Sequence, residues 1–425
     1  MGKRTKKLAL VAGGVAVASL FGAVPDARAE GFALYEYGAR GLALGGGMMA
    51  RKPDASAIAY NPSQITRLPG TQIMTGAAVV NPGGKMRTID SKGNRQNTSL
   101  KDSYWLMPHG YISQQINEDW YFGFGMFSRF GLGFEYPQDW PGRYNITSVV
   151  LQSASVNPNI AWKATDKLSL AAGVEALWVN LDIRRRVPVS AFGGKYRTDL
   201  DSKITDANDI GWGFNVAGHY QFNDEWAFGA QYRSQVRVNA FGTIRMSDKG
   251  AGKLPDHHGS AHSSVKLPDS VAFGLAWTPR SDLSFETGAV WTRWSKFNAL
   301  DISIPGSPYV PGGLAPSRKD WKDVWRFNVS AEYDVCDWMS LRASYIYDQS
   351  PMPNSTQDYL IPSDGRNIWG IGAGFRYENW TADLSYSYVD PFSRSYRADP
   401  STGVMNSKTL DGYTHIVGLS LSYRF

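Results

Sequence analysis

The chain has 425 residues, 43% of them apolar, 13% aromatic and only 19% charged, with 44 glycines and one cysteine. Such an aromatic, weakly charged composition excludes intrinsic disorder, and after residue 29 no apolar run reaches the roughly 18 residues that a membrane-spanning helix needs. The formal charge of +6 is gathered at the start, where residues 1–29 hold five cations against Asp26, so the rest carries a net +2 and no nucleic-acid footprint.

Residues 1–29 have a basic beginning (Lys3, Arg4, Lys6, Lys7), an apolar stretch from Leu8 to Val24, and Ala27-Arg28-Ala29 as a small-residue cleavage site. They read as a secretory signal peptide cut before Glu30. A membrane anchor is the other reading, but the run stops at Pro25 and Asp26 and has no stop-transfer flank. Cys336 has no partner for an internal disulfide, so an exported chain must hold its fold by other means, and a large hydrogen-bonded sheet would serve.

Residues 30–69 are rich in small residues (Gly38, Gly41, Gly45, Gly46, Gly47), lack clean alternation and carry few charges. An N-terminal plug, or hatch, inside a barrel is the economical reading; a disordered periplasmic extension is the alternative. From Gly70 onward period-two alternation recurs almost to the last residue. Trp325, Phe327, Val329, Ala331 and Tyr333 share one strand face while Arg326, Asn328, Ser330 and Glu332 share the other.

Marking each such segment predicts about fourteen strands. They run near Gly70–Val80, Tyr104–Gln115, Trp120–Phe130, Val149–Trp162, Leu168–Arg186, Gly211–Phe222, Trp226–Phe241, Ser264–Trp277, Leu283–Phe297, Trp321–Tyr333, Met339–Tyr347, Asn367–Tyr377, Trp380–Val389 and Thr414–Phe425. Links after even-numbered strands are short and turn-like, such as Asn223–Glu225, while links after odd-numbered ones, such as Asn298–Asp320, are long and polar. An even strand count with short links on one rim and long loops on the other is the pattern of an all-β transmembrane antiparallel barrel spanning residues 70–425. Trp105, Trp120, Trp226, Trp277, Trp338 and Trp380 at strand ends would form its aromatic girdles. A soluble all-β protein with a Trp-rich core has no reason to sort its loops by length.

Several segments then point to a family. Gly31-Phe32-Ala33-Leu34, Ala39-Arg40-Gly41-Leu42, Tyr60-Asn61-Pro62-Ser63, Leu267-Pro268-Asp269-Ser270, Trp291-Thr292-Arg293-Trp294-Ser295, Lys322-Asp323-Val324-Trp325-Arg326 and Tyr347-Asp348-Gln349-Ser350-Pro351-Met352-Pro353 follow one another in an order and spacing that resembles the FadL family of outer-membrane transporters for long-chain fatty acids and other hydrophobic compounds. Ser63 departs from the usual Ala of the Asn-Pro-Ala motif. The resemblance implies a fourteen-stranded barrel in the outer membrane of a Gram-negative bacterium, a hatch, an external hydrophobic groove, an inner pocket, and exit sideways into the membrane. Passive flow by that route is physically sound, because each CH₂ delivered to hydrocarbon is worth about 0.8 kcal/mol.

The same resemblance nominates residues. Phe130-Gly131-Leu132-Gly133, ending the third strand, looks like the wall kink, and glycine within a strand often marks a bulge that unpairs the ladder. Asn61 and Pro62 resemble the hatch contact at this window, and Gly31 and Phe32 the hatch residues that close the inner pocket. Carboxylate recognition needs a cation beside an apolar tunnel. Lys322, placed on the inward phase with Arg326, and Arg185 are the candidates, although a break in parity between Trp178 and Leu181 leaves Arg184 and Arg185 unresolved. For the outer groove the third and fourth long loops offer Val189, Phe192, Leu200, Ile244, Met246 and Leu254.

Asp256-His257-His258 with His262 has a spacing that could bind a metal on a helix but lies in a long Gly-containing loop, and Asp199, Asp201, Asp206 and Asp209 lack EF-hand spacing, so no metal or cofactor is expected. The expected partners are a hydrophobic solute (a fatty acid, an alkane or an aromatic hydrocarbon), outer-membrane lipid and lipopolysaccharide, and the barrel assembly machinery through Phe425, with the chain a monomer. Two rivals are an outer-membrane barrel enzyme acting on lipids, for which no Gly-x-Ser-x-Gly occurs, and a general porin, which would want an open charged lumen and no plug.

Overall fold

The computed structural model describes residues 31–188, 199–248, 254–360 and 364–425; the leader, Val189 and Phe192 lie outside them. Fourteen strands form the wall: β1 Thr71–Ile89, β2 Trp105–Gln115, β3 Trp120–Phe127 resuming at Leu132–Glu135, β4 Ser148–Lys163, β5 Leu168–Pro188, β6 Asp199–Gln221, β7 Trp226–Arg233 resuming at Val236–Asp248, β8 His257–Leu267 resuming at Ser270–Arg280, β9 Leu283–Thr292, β10 Val324–Cys336, β11 Met339–Asp348, β12 Arg366–Tyr377, β13 Trp380–Pro391 and β14 Asn406–Arg424. Each pairs antiparallel with the next, and β1 closes on β14 from Gln72 opposite Arg424 to Ile89 opposite Asn406. A closed ring satisfies backbone groups that hydrocarbon cannot.

The alternation decides which way each strand faces. On β10, Arg326, Asn328 and Ser330 are buried in the bore, while the neighbouring apolar residues look outward. Leu106, Ile112, Trp212, Phe214, Leu419 and Leu421 are exposed on the outer face, where lipid replaces water as their solvent. At the short-link rim two turns share one device: Asn117 and Asn223 each accept backbone N–H groups from the residues that follow, including Trp120 and Trp226. Those tryptophans stack on Trp162 and Trp277 with centroids 5.9 and 5.7 Å apart.

The far rim differs from expectation. β1 continues to Ile89, β6 begins at Asp199 and β14 at Asn406, so much of what reads as long polar loop is tall hairpin. Beyond the hydrocarbon both faces of a strand meet polar surroundings, and the period-two signal disappears although the ladder goes on. The strands predicted over Trp226–Phe241 and Ser264–Trp277 instead break at Ser234-Gln235 and Pro268-Asp269. Trp140, Tyr136, Ile146, Leu300, Ile304, Tyr359, Leu360 and Tyr396 from the remaining loops bury together over the bore.

Residues 31–69 run inside the ring, with α1 at Ala39–Ala43, α2 at Ala57–Tyr60 and a 3-10 turn at Pro62–Arg67. Their stretch lacks alternation because it meets wall on every side. Glu286 of β9 accepts the backbone N–H groups of Met49, Ala50 and Arg51 at 2.8, 3.1 and 3.0 Å. Arg40 makes a two-pronged pair with Glu332 of β10, and Arg233 of β7 donates to the carbonyls of Ile58 and Ala59. The wall is thinned where the segment presses on it: a Cβ on Gly229 would lie 1.9 Å from the Met49 carbonyl oxygen.

Candidate functional site

β2 and β3 pair only from Gly110–Gln115 against Met126–Tyr121. Above that, residues 105–109 of β2 pair with β1 alone, and the upper piece of β3 pairs with β4 alone. Between them the wall is unzipped. The cause is local: β3 turns inward at Ser128–Gly131, and its backbone finds partners away from β2. The Leu34 N–H donates to the Arg129 carbonyl (2.9 Å), and the Gly131 N–H donates to the Phe32 carbonyl (3.0 Å). Ser153 Oγ of β4 accepts the Phe130 N–H and donates to the Phe130 carbonyl. Arg129 is fixed behind the kink by Glu175 at 2.6 Å, both buried. A strand lost to the wall is thus taken up by the first residues of the inner segment.

A cavity of about 630 Å³ runs through this gap. Inside it meets Glu36, His109, Arg366, Ile368, Val389 and Ile416; outside it reaches Leu106, Met126 and Trp178, which face lipid. Trp105, expected in a girdle, instead lies across the gap, its ring 2.3 Å from where a Cβ on Gly133 would stand. Gly133 therefore makes room for a ring, whereas a Cβ on Gly131 would press on Leu34 Cδ1 at 2.9 Å.

Above the gap Phe32 fills an aromatic ring of four: Trp294 (4.7 Å between centroids), Phe297 (5.6 Å), Trp321 (5.7 Å) and Phe130 (5.9 Å). Gly31 beside it adopts φ +56°, and a Cβ there would lie within 3.0 Å of Trp294 and Trp321, so both conformation and space demand glycine. On the other side of Phe32 lies a wholly apolar cavity of about 50 Å³, lined among others by Leu181, Ile183, Ile204 and Val238. Ile183, Ile204, Leu300 and Leu360 also line a wetter cavity of about 420 Å³ that holds Arg185, Lys319 and Asp358.

These placements resolve some expectations and correct others. On β5, Val179, Leu181 and Ile183 face the apolar cavity, on the same phase as the buried Glu175 and Leu177, so parity does not break. The inside of the strand turns greasy because it lines a pocket, and Arg185 shares that inward phase, while Arg184 pairs with Asp201. Lys322 is not on an inward strand phase: it precedes β10 and is exposed, whereas Lys319 is buried against Asp358. Asn61 does not touch the window. Its Nδ2 donates to the carbonyls of Met49 and, on β6, Gly218, and its Oδ1 accepts from Ser63; Pro62 begins the 3-10 turn. Leu200 and Met246 are wholly buried in the apolar cluster over the bore. His257, His258 and His262 stand on β8, not in a loop, and no group of three metal-binding side chains occurs among the described residues.

Sequence reasoning missed Glu36, His109, Ser153, Lys319, Trp321 and Arg366. Trp294 sat unassigned inside a quoted motif, and Arg366 inside a long link.

The signature of the outer membrane transport protein family OMPP1/FadL/TodX matches residues 22–425. Outer membrane protein P1 of Haemophilus influenzae is 23% identical over 95% of this chain and 97% of its own. The long-chain fatty acid transport protein of Escherichia coli K12 is 22% identical over 86% and 88%. Among solved structures, a Pseudomonas aeruginosa FadL homologue superposes with a TM-score of 0.78 at 18% identity, covering 92% of this chain and 99% of its own. The Pseudomonas putida toluene transporter TodX does so with 0.74 at 18% identity, covering 93% and 99%. At such identities the likeness speaks for the fold.

Proposed function

The chain belongs to the outer membrane transport protein family OMPP1/FadL/TodX, and from that premise we propose that it carries long-chain fatty acids or similar hydrophobic compounds passively into the outer membrane, releasing them sideways through the β2–β3 gap. The observation that carries this is the unzipped ladder, filled by a cavity that joins the bore to the lipid face. An apolar solute in that cavity moves into hydrocarbon with no water to cross, so its own transfer free energy drives the step and no nucleotide is needed.

In this reading residues 30–69 are the hatch. Its first residues act as a stopper: Phe32 separates the upper cavities from the window, and Arg185 with Lys319 gives the upper site a cationic end that suits a carboxylate. Phe425, whose N–H is bonded to the Thr71 carbonyl while its side chain stays exposed, would be the signal for the barrel assembly machinery, and the barrel would work as a monomer amid lipid and lipopolysaccharide.

Uptake of labelled palmitate by cells dependent on this protein, beside liposome swelling with sugars, tests the proposal. Palmitate uptake without sugar permeation is expected. Sugar permeation at porin rates, or no uptake of any long-chain solute, overturns it.

A further inference from the structure

The chamber behind the window is apolar over Ile368, Val389 and Ile416, yet four ionisable side chains line it, Tyr35, Glu36, His109 and Arg366. Arg366 donates from Nε to Asp348 Oδ2 at 2.6 Å, and its two terminal nitrogens have no hydrogen-bond partner among the described residues. Asp348 is fully buried, while the Arg366 side chain is 23% exposed, its open side toward the chamber. An open guanidinium fork beside an apolar wall matches a planar carboxylate, which can take two parallel N–H donors at once. His109 is 5% exposed; its Nε2 is bonded to Ser420 Oγ, and its Nδ1 has no partner. Glu36 places the chain's own carboxylate in the same chamber, Oε2 accepting the Tyr35 N–H.

We propose that this chamber is a second station for the polar head of an anionic amphiphile: a long-chain carboxylate seats its head on the free fork of Arg366, with His109 as a further polar contact, while its tail lies along the apolar wall toward the window. The proposal rests on the transporter reading above and narrows it, since a neutral hydrocarbon has no use for the fork. Glu36 competes with the incoming carboxylate for the same cation and so weakens its hold. A station that binds too tightly would not release its cargo, and an internal rival anion keeps residence short.

The test is photolabelling of the purified full-length barrel in nanodiscs with palmitate bearing a diazirine, and with its methyl ester, reading the label on β12–β14 peptides. For Arg366→Gln the ratio of palmitate to methyl-ester label is expected to fall at least tenfold, and for Glu36→Gln to rise severalfold. Because Arg366→Gln takes one partner from the buried Asp348, the double variant Arg366→Gln/Asp348→Asn is read alongside, with heat modifiability as the check on folding. An unchanged ratio in that folded double variant, or a fall with Glu36→Gln, overturns the station. Cellular uptake is scored separately: wild-type protein that labels as expected but carries neither ligand keeps the station and removes the transporter reading.

Discussion

The inner segment has two parts held in opposite ways. From Arg40 to Arg67 it is riveted: Glu286 collects three backbone N–H groups, Arg51 reaches Ser284 and Ser330, Arg40 bridges Glu332 and Asp54, and Arg233 clamps the end of α2. From Gly31 to Leu34 it is held by two strand-like hydrogen bonds to the kink and by aromatic packing around Phe32. Charge networks in a bore are specific and expensive to break, whereas apolar packing reforms against any greasy surface, a passing acyl chain included. A protein that must let cargo through without opening a water pore does well to fix the body and free the tip.

Removing a rivet gives the largest expected effect. Glu286→Ala leaves three buried N–H groups without their acceptor and takes from Arg51 the carboxylate 3.7 Å away, which costs about 3–5 kcal/mol. The wall ladder is untouched, so the barrel should stay heat-modifiable while the body of the segment loosens and liposomes begin to swell with sugars. No gain in swelling would mean that the body is not what seals the bore. Phe32→Ala comes next, at about 3–5 kcal/mol if the ring site stays empty. Here sugars should remain excluded and fatty-acid uptake should change. If Phe32→Ala leaks sugars as freely as Glu286→Ala, the contrast between tip and body fails.

Deleting Glu30–Leu34 or replacing Gly131 with Val attacks the tip from its two sides. A branched side chain at Gly131 must displace Leu34, and overpacking of this kind costs about 1–3 kcal/mol. Both variants should fold and both should impair uptake of labelled fatty acid. Normal uptake in the two together would count against a window gated by the tip.

How far the sequence foretold this depends on which solvent each residue meets. Where a strand has lipid on one face and a polar bore on the other, alternation reveals it, and β11 to β13 fall close to where the pattern puts them. Where the bore itself is apolar the rule misleads: Leu181 and Ile183 face inward with the phase of Leu177, so reading greasy as outward puts a bulge on β5 before Leu181 and leaves Arg185 undecided. The register shift lies instead at Leu181/Ile183 with its extra residue on β6, between Ala207 and Ile204. Where the strand has left the membrane, as beyond Val80 on β1, there is no contrast to read. Extending β10's period two residues before Val324, its first residue, puts Lys322 inward where the strand has not begun, whereas Lys319 gains its place only from Asp358 on another loop. Asn61 carried a motif signal but no address, since its partner Gly218 lies 157 positions away.

The smallest effect should be the most telling. Ser153 is an ordinary inward serine of β4 by its position, but its hydroxyl serves both the N–H and the carbonyl of Phe130, which an unbroken wall would have paired. Ser153→Ala should cost about 1 kcal/mol for each of the two bonds it removes, and leave the fold intact. That loss falls on the inturned state alone, so the kink should relax toward β2 and the window should narrow. A cysteine pair at Leu106 and Met126 would then crosslink faster in the Ser153→Ala background than without it. An unchanged rate would place the cause of the kink in the Arg129–Glu175 pair, and Glu175→Gln should then give the acceleration instead.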